Sequence, residues 1–282
     1  PMATLSLTVR PEAPGRGRDA ARAQPPETAL RPAAFELTGL GIAYGSAPVL
    51  RGVTCRIPER AVTAIMGPSG CGKSTLVKSL NRTLELTPGA RIVSGTVVFR
   101  GENLYAPAVD PRAVRKSVGI IHQRPVPFPM SILENVLFGA SFHGQIDGED
   151  RRDYARRYLD RVGLWDEVKD RLGDRAETLS GGQQQRLCLA RTLATRPKAL
   201  LLDEPCSALD PSATRHIEDH VRDLKSEFPV VIVTHNVAQA RRVSDYVLFL
   251  YDGELIEAGP AEQVFASPAS ELARAFISGQ FG

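Results

Sequence analysis

The sequence predicts an α/β fold with a mainly parallel sheet and a helical block inserted into it. Three observations predict it. Short apolar runs alternate with helical patterns from Phe35 onward. A glycine-rich loop, GPSGCGKS (67–74), joins one apolar run to one helical run. Between Arg124 and Ser180 the pattern turns mostly helical, as in RRDYARRYLDRVGLW. Strands alternating with helices build parallel sheets, because a parallel crossover needs a helix-length connection.

In chain order, residues 1–34 carry Pro11, Pro14, Pro25, Pro26 and Pro32 among Arg10, Arg16, Arg18, Arg22 and Arg31, with little apolar periodicity. They read as a disordered extension without the apolar segment of a secretory signal. The rest, 35–282, reads as one domain. FEL, VTCRI and AVTAIM (61–66) are its first strand candidates, KSTLVKSLNRTL (73–84) is a helix, and TVVF (96–99) is a further strand. The helical block occupies about 125–185, and ALLL (199–202), VVIVT (230–234) and VLFL (247–250) return to strand. There is no internal repeat and there are no sustained heptads.

Composition is that of a globular chain: 282 residues, 43% hydrophobic and 24% charged. A net charge of +3 is too weak to argue for a nucleic-acid partner. No uninterrupted apolar run approaches the ~20 residues that span a bilayer. A soluble chain is therefore expected, one that works at a membrane only through partners that supply the spans. Cys55, Cys71, Cys188 and Cys206 form no CxxC pair, which argues against a disulfide framework or zinc site and fits a reducing cytosol. Cys71, inside the glycine-rich loop and just before a helix start, is expected to be more reactive than a buried thiol.

The loop carries the first chemistry. Gly67, Pro68, Ser69, Gly70, Cys71 and Gly72 follow a strand and open a helix, the context a phosphate-binding loop requires. The glycines let backbone N–H groups converge on phosphate oxygens, and the helix start adds roughly half a positive charge. Lys73 reaches the β- and γ-phosphates, Ser74 can ligate magnesium, and Thr75 lies next to the α-phosphate. LLLDEP (200–205) then sets Asp203 and Glu204 at the end of an apolar strand, where open α/β sheets bind ligands. Asp203 suits the magnesium shell. Glu204 suits polarising a water that attacks the γ-phosphate.

These two segments flank LSGGQQQR (179–186). With the three in this order, the chain resembles the ATP-binding subunits of ATP-binding-cassette (ABC) transporters over 35–282. The resemblance implies a RecA-like P-loop NTPase core with an N-terminal antiparallel β subdomain and the helical insertion. It implies Mg-ATP as ligand, Tyr44 stacked on adenine from a loop after the first strand, and Gln123 sensing γ-phosphate and magnesium. It makes His235 a switch histidine on the γ-phosphate, although a lone histidine at a strand end is more often structural. Asp210, in SALD, would link two ATP sites. Ser180, Gly181, Gly182 and Gln183 would contact the γ-phosphate held by a second copy, so a homodimer is expected.

Finer segments, QRPVPFPMSILENV (123–136), LWDEVKDRL (164–172), LSGGQQQRLCLARTLA (179–194), DEPCSALDP (203–211), THNVAQARRVSD (234–245) and the ending FISGQFG, are similar to the ATP-binding subunits of bacterial high-affinity phosphate importers. That likeness implies phosphate uptake at the cytoplasmic face of the inner membrane. Two membrane-spanning permease subunits would sit above the homodimer, an external phosphate-binding protein would act indirectly, and no nucleic acid would take part. An importer ATPase for another small solute, such as an amino acid, remains the alternative, because no residue here need touch the cargo. The absence of heptads between loop and signature argues against a DNA-repair ATPase, a single cassette against a ribosomal one, and Glu204 with His235 against a non-hydrolysing regulator. Two departures stand out: His122 in place of an aromatic, expected as a packed neutral ring, and Val126 in place of an asparagine between two prolines.

Overall fold

The computed structural model describes residues 32–207 and 209–280. Strand β1 (Ala33–Tyr44) turns through Gly45 and Ser46 into β2 (Ala47–Pro58). The domain thus starts two residues before the expected boundary, and residues 1–31, the bulk of the expected disordered extension, lie outside the described residues. β3 (Val62–Met66) leads to α1 (Lys73–Leu80), then to β4 (Ala90–Phe99), β5 (Glu102–Asn103), α2 (Pro111–Ser117) and β6 (Val118–Ile121). Helices α3 (Ile132–Phe142), α4 (Arg151–Arg161), α5 (Trp165–Val168) and α6 (Gly181–Leu193) form the insertion. β7 (Ala199–Asp203), α7 (Pro211–Leu224), β8 (Val230–Val233), α8 (Val237–Val243), β9 (Tyr246–Tyr251), β10 (Glu254–Pro260), α9 (Ala261–Ala266) and α10 (Glu271–Ile277) complete the described chain.

Two sheets result. The larger runs β10-β9-β3-β8-β7-β6, with every pair parallel except β9 with β10. The smaller, β2-β1-β4-β5, is antiparallel throughout. Three runs that alternation alone would assign to the parallel core, FEL, VTCRI and TVVF, belong to this second sheet. The helical block lies between β6 and β7, and its last helix overruns the expected end at 185 to reach Leu193.

The parallel strands are apolar on both faces because both are covered. Val62, Ala64 and Met66 of β3 pack in the cluster that holds the inserted helices, whereas Ile65 faces the antiparallel sheet and α1. β7 repeats the period of two: Leu200 and Leu202 on one side, Ala199 and Leu201 on the other. Because β6, β3, β7 and β8 run the same way, the residues after each of them emerge at one edge. That shared edge brings the glycine-rich loop, Gln123, Asp203, Glu204 and His235 together.

Candidate nucleotide site

The loop between β3 and α1 is shaped by close approach. Gly67 has φ +142°, and a Cβ there would lie 2.0 Å from the Leu250 carbonyl oxygen, so only glycine fits. Gly72, at φ +103°, precedes α1. Lys73 is buried, and its Nζ donates to the carbonyls of Gly67 and Pro68, both at 2.8 Å. The lysine thus folds back over its own loop and sets its charge beside the first turn of α1. Ser69 and Gly70 are exposed at the tip. Cys71 corrects the expectation of a reactive thiol. It is buried, burial pushes the thiol up, and the nearby Lys73 charge only partly offsets this.

Four side chains converge opposite the loop. Ser74 Oγ donates to Asp203 Oδ1 at 3.0 Å. Gln123 Nε2 donates to Glu204 Oε2 at 3.0 Å, and His235 Nδ1 lies 3.3 Å from Glu204 Oε1. Glu204 sits at φ +48°, where a non-glycine residue costs about 1–3 kcal/mol. Its N–H donates to Val233 O at 3.0 Å, which pins this bend to the end of β8. The bend carries the carboxylate sideways between Gln123 and His235, while Asp203 stays in line with the strand. Burial pushes the Asp203 carboxyl up, and the hydrogen bond from Ser74 acts against that.

The donor set fits magnesium. Ser74 offers a hydroxyl, Asp203 a carboxylate and Gln123 an amide oxygen, all hard donors.

The remaining expected residues divide. Tyr44 ends strand β1 rather than following it in a loop; its hydroxyl lies 3.3 Å from Thr75 Oγ1, so the half-buried ring stands at the start of α1. Ser180 caps α6: its Oγ accepts from Gln183 N at 3.3 Å, and Gln183 Oε1 accepts from Ser180 N at 3.0 Å. Gln183 Nε2 also donates to Glu167 at 2.8 Å. Ser180 and Gly181 are exposed, Gly182 half-buried, and the side-chain hydrogen bonds of Ser180 and Gln183 join them to each other and to Glu167. Asp210 accepts from Ala213 N at 3.0 Å at the start of α7. His122 is exposed rather than packed.

Sequence reading missed one feature. A cavity of about 540 Å³ opens beside Glu204 and His235, not over the phosphate loop, and reaches Cys206, Thr214, Gln239 and Arg242. Behind it, the buried Glu218 takes a forked pair of hydrogen bonds from Arg242, at 2.7 and 2.8 Å. Burial pushes the Cys206 thiol up to about 11. These residues lie on three separate elements and share no short motif, so only packing assembles them.

The family model described as ABC transporter matches residues 50–207. The phosphate import ATP-binding protein PstB 2 of Synechococcus sp. (strain JA-2-3B'a(2-13)) is 47% identical over 256 residues, 88% of this chain and 96% of that protein. Among solved structures, a bacterial Atm1-family ABC exporter with ATP bound is similar at TM-score 0.74 and 25% identity. The match covers 90% of this chain, which spans 43% of that one. The structure of cbiO1 from Clostridium perfringens, part of the transporter complex cbiONQ, matches at TM-score 0.71 and 28% identity over 83% of this chain and 91% of its own.

Proposed function

The chain belongs to the ABC transporter family of ATP-binding subunits, and from that premise we propose that it hydrolyses Mg-ATP to drive uptake of inorganic phosphate through separate permease subunits. The observation that carries the ATPase reading is the placement of Gln123 and His235 against the two oxygens of Glu204, the residue just past the strand that ends in Asp203. Identity of 47% across nearly the whole chain with a phosphate import protein supports phosphate over another small solute.

In this reading the loop amides and Lys73 hold the β- and γ-phosphates, and Tyr44 stacks on the base. Magnesium, held through Ser74, Asp203 and Gln123, neutralises charge on the phosphate oxygens. Glu204 orients a water in line with the γ-phosphate and accepts its proton as the oxygen–phosphorus bond forms and the bond to ADP breaks. His235 holds Glu204 and contacts the γ-phosphate.

ATP-binding subunits of this family dimerise and work with membrane permease subunits. For this chain we place Ser180, Gly182 and Gln183 on the γ-phosphate held by a second copy, with Asp210 beside the junction. Two permease subunits and, indirectly, an external phosphate-binding protein complete the importer. No helix among the described residues is long and apolar enough to cross a membrane, which fits a peripheral place on its cytoplasmic face.

The test is radiolabelled phosphate uptake in phosphate-starved cells that carry this chain or its Glu204→Gln form as their one phosphate-import ATPase. Loss of phosphate uptake with Glu204→Gln, other solutes still entering, is expected. Unchanged uptake would sink the phosphate assignment.

A further inference from the structure

The loop that follows Gln123 is held at its backbone by two side chains that no nucleotide-binding motif contains. Asn135 of α3 is fully buried. Its Oδ1 accepts from Phe128 N at 2.8 Å, and its Nδ2 donates to the carbonyls of Phe128, Met130 and Ser131 at 3.1, 3.3 and 2.9 Å. Arg191 reaches the same loop from the last turn of α6. Its Nη1 donates to Asn135 Oδ1 and its Nη2 to Val126 O, both at 3.2 Å, and its guanidinium lies 4.1 Å from the Phe128 ring centroid. A basic residue in a last helical turn commonly serves its own helix end. Here the guanidinium instead spans to two residues of the loop, Val126 and Phe128, and to Asn135 of α3.

The far end of the loop and the start of α3 are tied to the segment that leads into the same helix. Ile132 N donates to Asp174 O at 3.0 Å, Leu133 N to Leu172 O at 3.0 Å, and Ala176 N to Met130 O at 3.1 Å. Residues 172–179 lead directly into the Ser180 cap. Helix α6, 13 residues and about 20 Å long, is therefore tied to the Gln123 loop directly at its C-terminal turn, and through the segment that precedes its cap at the other end.

We infer that Arg191, with Asn135 and Phe128 as its seats, is a positioning residue that makes the Gln123 loop and the helix opened by Ser180 move as one body, so that a shift of Gln123 is delivered to the Ser180 turn. The inference rests on the reading of Gln123 as the residue that meets the γ-phosphate and magnesium. Arg191 touches neither; it acts by fixing where Gln123 can stand.

The test uses the purified full chain and two readouts. In steady-state ATP hydrolysis, Arg191→Met should lower kcat about tenfold with KM for ATP within about twofold. In a Gln123→Ala background the same substitution should change kcat by less than about twofold, because the path is already broken. Effects that multiply would overturn the inference and leave Arg191 a plain structural residue. In hydrogen exchange, amides of 126–131 should exchange at least about tenfold faster in Arg191→Met. Unchanged exchange there would overturn it too. That second readout needs no hydrolysis: a wild-type chain that never turns over ATP would refute the ATPase reading, while exchange still judges the strut. Should Arg191→Met fail to fold, Phe128→Leu removes the ring beneath the guanidinium and should reproduce the faster exchange; normal exchange in it would count against the strut.

Discussion

At the scale of single residues, Glu204 is the most exposed to test. Its carboxylate is held by a backbone bend at φ +48° and by the Gln123 amide on one oxygen, with His235 Nδ1 3.3 Å from the other. Replacing it with glutamine keeps the shape and the contact to Gln123 while removing the proton acceptor. Glu204→Gln should therefore lower kcat by about 10²–10⁴ and leave ATP affinity within about threefold. Nucleotide titration beside a turnover assay reads both, and retained turnover would remove Glu204 from its role. Cys71 gives an independent check. Its thiol packs beside Gly67, where an added Cβ would come within 2.9 Å of Cys71 Sγ, and burial pushes it up. At about pH 8 it should alkylate at least about tenfold more slowly than a free cysteine, as followed by mass spectrometry of the intact chain. Rapid labelling would contradict the buried placement. Lys73, Ser74, Asp203 and Glu204 were legible because each sits in a short motif whose neighbours dictate its place. The burial of Cys71 was not, since it depends on Leu250, far along the chain, whose carbonyl closes over the loop.

At the scale of elements, the strands of the larger sheet were legible from apolar runs buried on both faces, as in VTAIM and VVIV. Their partners were not. FEL, VTCRI and TVVF look alike in composition, and only pairing across the chain separates an antiparallel sheet from a parallel one. β6 and β10 were missed for different reasons: the first, VGII, carries a glycine and follows α2 with no intervening turn, and the second is a mixed-polarity edge strand. The junction of α7 with the helical insertion also lacks a motif, yet it should respond to pH. His220 of α7 has its Nε2 buried without a hydrogen-bond partner, 3.3 Å from where a side chain on Gly163 would begin. Burial pulls His220 below its usual 6.5; Arg186 and His216 act in the same direction, while Asp223 and the Val162 backbone oppose them. A histidine depressed in the folded state keeps its stability contribution above the unfolded value and loses it as pH falls toward the folded one. The melting temperature should drop between about pH 7.5 and 5.5 by more in the wild type than in His220→Leu. Equal drops would mean that this ring does not titrate against the fold.

At the scale of the whole molecule, the proposal that the Ser180 turn serves a second copy can be tested. Ser180 and Gln183 satisfy each other and Glu167, which fixes the turn without any contact to the phosphate loop that precedes it in sequence. Gly181 makes the argument sharper. It opens α6, its φ is not positive, and a Cβ on it would meet nothing within 4 Å. The fold of this chain therefore gives no steric reason for glycine there. A second copy would give one, because a phosphate can approach the backbone closely where no side chain intervenes. Gly181→Asp separates the two cases. A carboxylate at the first position of a helix favours the helix by about 0.3–1 kcal/mol, so the monomer should melt no lower than wild type. Facing the γ-phosphate of a partner, the same carboxylate repels it. In the Glu204→Gln background, which should trap ATP between two copies, sedimentation should find a dimer with Mg-ATP and a monomer without. Adding Gly181→Asp should leave the monomer in both conditions. A double variant that still dimerises on ATP would place the turn away from the nucleotide, and one that unfolds would return Gly181 to the architecture of its own chain.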